Sequence, residues 1–243
     1  MKLRFGYVSR NLTMATVRSG IRKGCAAIAG AALLYGCAAA SPKTDQAAAP
    51  VSTPLAGMAG RQLLVLPAQY LSAGNPGGGW DILPAGPSLL PILDEEIADS
   101  FRKRGVRSNW TFAREITQSA ARNGGLAGDP RQLSVQGIRR VKPGDTPLPE
   151  PLASEIRNLV SLTGARYVLL PLEAHVDVRG IERRGSTRFL LIDARTARVV
   201  WAEDVEAATT HDAQTAADAF TPFGFRMMSR DVASKLADMV VAQ

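Results

Sequence analysis

Short apolar runs bounded by turn residues mark the strands that the sequence predicts. The run at residues 63–66 is closed by Pro67, which suits a buried strand. The run at 167–172 extends towards Val178 and predicts a central strand covered on both faces. The remaining predicted strands are residues 106–110, 188–192 and 199–205, the last two as a hairpin around a turn at 193–197.

Apolar residues three and four positions apart predict four helices. In residues 89–103 the apolar stripe is Leu93, Ile97 and Phe101, and Gly105 near the carboxyl end is typical of a helix stop. The other predicted helices are residues 111–122, with Thr111 as the amino-terminal cap, 150–163, ended by Gly164, and 226–241.

Three segments show neither pattern. Residues 72–87 contain a Gly-Asn-Pro-Gly-Gly-Gly stretch and predict a loop. Residues 123–149, rich in Gly, Asp and Pro, predict a surface excursion with a short helical turn at 133–138. Residues 181–187 predict a turn between two strands.

The order of these elements predicts the fold class α/β (α+β). We expect a mixed β-sheet flanked by helices, with a carboxyl-terminal β-hairpin followed by a terminal helix. Residues 61–243 are of single-domain size and are expected to form one α/β globular domain. Residues 37–60, dominated by Ala, Ser, Thr, Pro and Gly, predict a flexible tether before it.

Residues 1–36 have the parts of a secretory signal peptide. Arg18, Arg22 and Lys23 form the basic region, and residues 25–35 form an apolar core that is too short to span a bilayer. Translation from Met1 and translation from Met14 would both supply this leader, and the choice between them stays open.

Leu34, Gly36 and Cys37 resemble the lipobox of bacterial lipoproteins, whose cysteine is diacylated, exposed by cleavage and acylated again. Tyr35 is bulkier than the residue usual there. The resemblance implies a lipid anchor on Cys37, palmitate included, and Ala38 after it implies the outer membrane, facing the periplasm. Such an anchor is stable because each buried methylene adds about 0.8 kcal/mol. Ordinary secretion with cleavage after residue 40 is the alternative, and it would discard Cys37.

Charge and cysteine usage change once the leader is set aside. The leader carries six Lys and Arg and no acidic residue, so the formal net charge falls from +7 to +1. A nearly neutral chain gives no general argument for nucleic acid, whose binding rests on many contacts to phosphate. With Cys25 in the leader and Cys37 lipidated, the domain has no thiol left for a disulfide or a metal site.

The candidate chemistry in the domain has simpler interpretations. The Gly77-Gly78-Gly79 loop lacks the Lys and Ser/Thr of a P-loop. His175 and His211 lack the spaced partners of a zinc motif, and there is no Gly-x-Ser-x-Gly elbow. Asp94-Glu95-Glu96 is interpreted as acidic stabilisation near a helix amino terminus. We therefore predict no catalytic residue, no metal and no cofactor.

Aromatic residues in or near predicted loops are the candidates for an exposed recognition surface, because aromatic side chains are enriched at protein interfaces. These residues are Tyr70, Trp80 and Phe223. Trp201 lies inside a predicted strand, and we expect it to pack on the sheet instead.

Two segments resemble those of envelope lipoproteins: Gly164-Ala165-Arg166-Tyr167-Val168-Leu169-Leu170-Pro171, and Leu190-Leu191-Ile192-Asp193-Ala194-Arg195-Thr196 followed by Val199-Val200-Trp201. The similar families are the curli-secretion lipoprotein, the penicillin-binding-protein activator lipoproteins and the amino-terminal domain of the Tol-Pal propeller protein. The likeness covers the second half of the domain and its first strand, and those families usually have Gly where this chain has Ala197. It implies a compact α/β module for protein contacts.

The leading hypothesis is a non-catalytic, lipid-anchored envelope protein. Its domain would bind another protein in envelope assembly, secretion or cell-wall control. The protein would be held at the membrane through lipid on Cys37, and no nucleic acid is expected as a partner. One alternative is a small-ligand receptor or hydrolase that uses the loops at 72–87 and 123–149. Another is an oligomeric accessory lipoprotein of transport.

Overall fold

The computed structural model describes residues 55–74, 80–82, 86–105, 109–143, 147–179, 182–211 and 219–241. All of them fall in the compact unit Pro50–Gln243. Cys37, the predicted signal peptide and most of the predicted tether lie outside the described residues.

Seven strands of the described residues form one mixed sheet. They are β1 (Leu63–Val65), β2 (Tyr70–Gly74), β3 (Trp80–Ile82), β4 (Trp110–Thr111), β5 (Tyr167–Arg179), β6 (Glu182–Asp193) and β7 (Arg198–Glu206). On one edge, β5 pairs in parallel first with β1 and then with β2. On its other edge it pairs antiparallel with β6, and β6 pairs with β7. β4 continues the sheet beyond β1 and β3 continues it beyond β2.

Helices cover both faces of this sheet, as the fold class predicted. They are α1 (Gly86–Lys103), α2 (Ala113–Arg122), α3 (Leu152–Ser161) and α4 (Pro222–Val241). One core lies between the sheet and the pair α1 and α4, and a second core lies under α2 and α3. The hairpin β6–β7 followed by α4 confirms the predicted carboxyl-terminal order.

A β-bulge in β5 decides which side chains face which core. Leu169 points into the first core, whereas Leu170 and Leu172 point into the second. The pairing with β6 shifts between Pro171 and Glu173, and Ala174 then returns to the first core. A bulge places two successive residues against one partner, so Glu173 stays on the face of the second core.

Two of the three segments predicted as loops contain strand. β2 runs to Gly74, β3 spans Trp80–Ile82 and α1 begins at Gly86, so the prediction of a loop over 72–87 is wrong for these residues. The turn predicted at 181–187 is wrong as well, because β6 begins at Glu182. Its polar residues form a regular antiparallel pairing with the end of β5, and that pairing does not need an apolar run.

Most of the described residues in the segment 123–149 are exposed, in agreement with the predicted surface excursion, but some of its apolar side chains pack into the second core. Leu133, Val135, Ile138 and Leu148 are buried in the second core. The predicted helical turn is confirmed as a 3-10 turn at Gln136–Ile138. These scattered apolar residues follow no helix or strand period, and the sequence pattern therefore does not reveal their burial.

The helix boundaries differ from the predicted ones at their amino-terminal ends. α2 is capped by Phe112 and not by Thr111, and the Glu115 carboxylate accepts a 2.8 Å hydrogen bond from the Phe112 N–H. The two predicted glycine stops are confirmed. Gly105 has φ of 83° and Gly164 has φ of 70°, values that favour glycine after a helix.

The globular domain begins before residue 61. Leu55 and Met58 are buried in the first core, and the segment Ala56–Met58 forms a 3-10 turn. The predicted tether of residues 37–60 is therefore too long at its carboxyl end. No helix of the described residues is long and apolar enough to cross a membrane.

Candidate functional site

Past the bulge, the sheet face of the second core becomes polar. Tyr70 of β2 is paired with Glu173 of β5, and Ser72 is paired with His175. Arg139 reaches this face from the segment between α2 and α3. Its Nε donates to Glu173 Oε2 at 2.7 Å, its Nη2 donates to Oε1, and its guanidinium lies 6.0 Å from the Tyr70 ring centre.

Burial and charge act in opposite directions on this cluster. Burial alone would raise the pKa of Glu173, which is 3% exposed, but the hydrogen bonds from Arg139 and Ser72 and the nearby His175 lower it overall. Burial lowers the pKa of His175, against the charges of Glu173 and Asp204. The expected state near neutral pH is a charged Glu173–Arg139 pair beside a neutral imidazole.

Ser72, His175 and Glu173 do not have the geometry of a hydrolase triad. Ser72 Oγ lies 2.7 Å from His175 Nδ1, and Glu173 Oε1 lies 3.7 Å from the same nitrogen. A triad instead places the acid and the serine on different ring nitrogens. Ser72 is also fully buried. These three residues therefore form a structural polar network on the sheet.

A groove between α1 and α2 is the second candidate site, with Asp94 at its floor. Its volume is about 410 Å³. Asp94 Oδ1 accepts a 2.8 Å hydrogen bond from the Ala68 N–H, and Arg131 Nη1 lies 3.0 Å from Oδ2. Because α1 begins at Gly86, Asp94 lies well inside the helix. The interpretation of Asp94 as helix-terminus stabilisation is therefore wrong.

The neighbouring carboxylates also have partners on another element. Glu96, which is 4% exposed, binds Arg226 at 3.0 Å and Arg230 at 3.1 Å on α4. Glu95 lies 3.4 Å from Arg226. The acidic run Asp94-Glu95-Glu96 thus pairs α1 with Arg131 on one side and with the arginines of α4 on another. A helix allows both because successive side chains point in different directions.

The third candidate site is an apolar patch where α4 begins, which we call the α4 patch and define as Phe220, Phe223 and Met227. Their exposed fractions are 39%, 69% and 47%. Phe223 and Met227 are four positions apart in α4 and lie on one side of it. Exposed large apolar side chains that cluster in this way are typical of interaction surfaces.

The α4 patch lies at the opposite end of α4 from the point where the domain begins. Trp110 packs on Phe101 with ring centres 4.6 Å apart, and its Nε1 donates to Met58 O at 3.4 Å. Arg104, just after α1, pairs with Asp238 at 2.7 Å. These contacts place the start of the domain beside the carboxyl-terminal end of α4. A helix of 20 residues is about 30 Å long.

The structure places the predicted recognition residues on different surfaces. Tyr70 is half-buried and packs against the second core, whereas Phe223 is exposed on α4, which packs on the other face of the sheet. Trp80 begins β3, and its side chain lies outside the described residues. The predicted lipidation site, Cys37, also lies outside them.

Sequence reasoning missed Phe220 and Met227 as site residues, and it assigned Asp94 to helix-terminus stabilisation. Met227 could have been found from the sequence. It lies four residues after Phe223, which places both on one side of a helix if the predicted helix is extended back to Pro222. Asp94 could not have been found, since its burial depends on the packing of Arg131 and Ala68. No group of three metal-ligating side chains occurs in the part of the chain that the structure describes.

Several solved structures are similar to this chain. The carboxyl-terminal domain of LpoB from Salmonella enterica matches at 10% identity over 62% of this chain and 83% of its own, with a TM-score of 0.32. Lipoprotein GNA1162 from Neisseria meningitidis matches at 16% identity over 62% and 79%, with a TM-score of 0.31. The PelC dodecamer from Paraburkholderia phytofirmans matches at 13% identity over 72% and 88%, with a TM-score of 0.32.

The predicted resemblance to envelope lipoproteins is confirmed in one respect: such lipoproteins are among the solved structures similar to this chain. No protein-family model matches the chain, and no curated protein matches its sequence. Likenesses with TM-scores near 0.3 carry no argument about binding or activity. The residues of the chain itself are the basis for a function.

Proposed function

We propose that this chain is a non-catalytic, lipid-anchored envelope protein whose α+β domain binds another protein. The process served would be envelope assembly, secretion or cell-wall control. The observation that carries the proposal is the α4 patch, in which Phe223 and Met227 are exposed on one side of α4 and Phe220 is exposed just before the helix begins.

The energetics favour a protein as the occupant of the α4 patch. Full burial of a Phe or Met side chain stabilises a complex by about 1.5–3 kcal/mol. A few such residues at the centre of an interface supply most of the binding energy. The patch is also rigidly presented, because Phe225 and Met228 of the same helix are buried in the first core.

A lipid anchor on Cys37 would be joined to the domain by the predicted tether. Seventeen residues separate Cys37 from Leu55, where the described domain begins. A flexible chain of that length has a root-mean-square span of roughly 20–25 Å. A lipid anchor on Cys37 would therefore keep the domain near the membrane.

Photo-crosslinking in living cells tests the binding surface. A photoreactive amino acid at Phe223 or Met227 should give a discrete adduct with another protein, and the same residue at Val200, which is 40% exposed on β7, should not. The double substitution Phe223→Ser with Met227→Ser should lower partner recovery at least tenfold, whereas Val200→Ser should leave it unchanged. Equal adducts at all three positions, or no adduct at any, would refute the surface.

Cys37→Ser tests the anchor separately. The substitution should move the protein from the membrane fraction to the soluble periplasmic fraction, because acyl chains supply the attachment. Labelling with a radioactive fatty acid should mark the wild-type chain and not the variant. Unchanged membrane fractionation of Cys37→Ser would refute the lipid anchor and would leave the α4 patch to be judged by the crosslinking alone.

A further inference from the structure

Two adjacent methionines of α4 differ in their exposure to solvent. Met227, in the α4 patch, is 47% exposed, whereas Met228 is 5% exposed and its sulfur lies against Gly185 of β6. Met58 is 8% exposed, and Met239 is half-buried against the first core. Among the four methionines of the described residues, Met227 is therefore the one with an exposed side chain.

Exposure decides which methionine is oxidised, because the oxidant must reach the sulfur. A hydroperoxide or hypochlorous acid transfers one oxygen to the thioether. With hydrogen peroxide, an S–O bond forms, the O–O bond breaks, and the second oxygen leaves as water. The sulfur loses two electrons and the peroxide gains them. The product, methionine sulfoxide, is polar, and methionine sulfoxide reductases reduce it back to methionine.

The fold accommodates a sulfoxide at Met227 better than at Met228. A polar sulfoxide at Met228 would be buried in the first core, which costs free energy unless a hydrogen bond compensates. At Met227 the same group stays in contact with water. The helix is held by its other side, where Phe225, Met228 and Val232 are buried. Oxidation of Met227 thus changes the surface of α4 and leaves its packing intact.

The surface that changes is the α4 patch. Phe223 precedes Met227 by four residues and lies on the same side of the helix. A partner that covers both side chains is stabilised by the apolar area it buries. After oxidation, the same partner would have to bury a polar sulfoxide, which is unfavourable without a matching donor. Oxidation of this one sulfur therefore opposes binding to the patch.

We propose that Met227 is an oxidation site that switches the α4 patch. A hydroperoxide or hypochlorous acid converts Met227 to its sulfoxide and releases the partner, and a methionine sulfoxide reductase restores binding. The release rests on the proposed function, because a protein partner must occupy the patch. The selective oxidation of Met227 does not rest on it, so the two can fail separately.

Limited oxidation of the purified full chain in mild detergent tests the site. In dilute hydrogen peroxide, peptide fragment masses should show sulfoxide at Met227 at least tenfold sooner than at Met228 or Met58. Circular dichroism should stay unchanged during this phase. Met227→Leu should abolish the fast phase, and Met228→Leu, the matched control, should retain it. Equal oxidation rates at Met227 and Met228 would overturn the proposal whether or not a partner exists.

Crosslinking from a photoreactive amino acid at Phe223 tests the switch. Peroxide treatment of permeabilised cells before irradiation should lower the adduct at least tenfold, and a methionine sulfoxide reductase with a thiol reductant should restore it. Met227→Leu keeps the apolar volume without an oxidisable sulfur, so its adduct should survive peroxide. Met227→Gln, which places a polar group at the same position, should lower the adduct without peroxide.

The outcomes separate the switch from the proposed function. An adduct that survives oxidation of Met227 would overturn the switch, and so would an adduct that peroxide removes equally from Met227→Leu. No adduct in untreated cells would refute the proposed function and the switch together. The relative oxidation rates of Met227 and Met228 would still decide the oxidation site.

Discussion

Ala197 is a non-glycine residue in a left-handed backbone conformation, with φ of 51°. It closes the turn between β6 and β7, at the position where the similar lipoprotein families usually have glycine. This conformation costs a residue with a Cβ roughly 1–2 kcal/mol, and glycine avoids that cost. The stability that a substitution to glycine would gain is partly offset, because glycine has greater conformational freedom in the unfolded chain.

We therefore expect Ala197→Gly to raise the free energy of unfolding by a few tenths to about 1 kcal/mol. Urea denaturation followed by circular dichroism would measure it. Ala194→Gly is the matched control, because Ala194 lies in the same turn but not among the residues with positive φ, and it should destabilise the protein. A loss of stability in both variants would contradict the expected strain at Ala197.

Glu173 is a buried carboxylate whose main ion-pair partner is Arg139. Glu173→Gln should lower the free energy of unfolding by about 1–3 kcal/mol at pH 7, because Arg139 loses a charge-assisted bidentate partner. The pKa of Glu173 is lowered in the folded state, so this contribution is present above its ordinary pKa and is lost as pH falls through the lowered value.

Urea denaturation of wild type and Glu173→Gln at pH 7 and at pH 3 checks both the size and the sign. Glu150→Gln is the control, since Glu150 pairs with Arg157 on the exposed surface and should change stability little. A difference between wild type and Glu173→Gln that grows as pH falls would contradict the assignment.

At the scale of elements, β6 packs against α4 through a glycine, Gly185. A Cβ placed on Gly185 would overlap Sδ and Cγ of Met228, which is buried. Gly185→Ala should therefore lower the free energy of unfolding by about 1–3 kcal/mol through overpacking. Thermal unfolding of the purified protein would measure the effect.

A double-mutant cycle shows whether the Gly185 effect comes from this one contact. Met228→Ala removes the overlapping atoms, so Gly185→Ala should cost much less in the Met228→Ala background than in the wild type. Gly137→Ala is the matched control, because a Cβ there would meet only Pro149 at 3.5 Å. Additive costs of the Gly185 and Met228 substitutions would exclude the contact as the cause.

At the scale of the whole molecule, Asp94 couples stability to pH in the direction opposite to Glu173. Burial raises the pKa of Asp94 from 3.8 to about 6, so the folded state binds its proton more tightly than the unfolded state does. The cost of the buried charge is present above pH 6 and falls away as Asp94 is protonated. Wild type should therefore gain about 1–1.5 kcal/mol relative to Asp94→Asn between pH 7.5 and pH 5.

Parallel urea titrations of the wild type and Asp94→Asn at these two pH values measure this gain. Glu173 and Asp193 have lowered pKa values and stay ionised across the interval, so they do not mask it. A stability difference that is the same at pH 7.5 and pH 5 would show that Asp94 is not held in a desolvated site.

The sequence predicted the existence and type of most elements, because their apolar residues follow the periods of helix and strand. Trp201 is buried on the sheet as expected, and the stripe of Leu93, Ile97 and Phe101 faces the first core. The arm of β6 from Glu182 to Thr187 was missed, because its polar residues carry no apolar signal and its strand character comes from pairing with β5.

The sequence by itself determined the mixed sheet, its flanking helices and the glycine helix stops, all of which depend on local period or local motif, whereas the leader over residues 1–36 stays a prediction. The tertiary structure decided which charged residues are buried and which apolar residues are exposed. Asp94, Glu96 and Glu173 are buried only because distant arginines meet them. Phe223 is exposed because α4 turns its other side to the core. Both outcomes depend on long-range packing, which no local window of sequence contains.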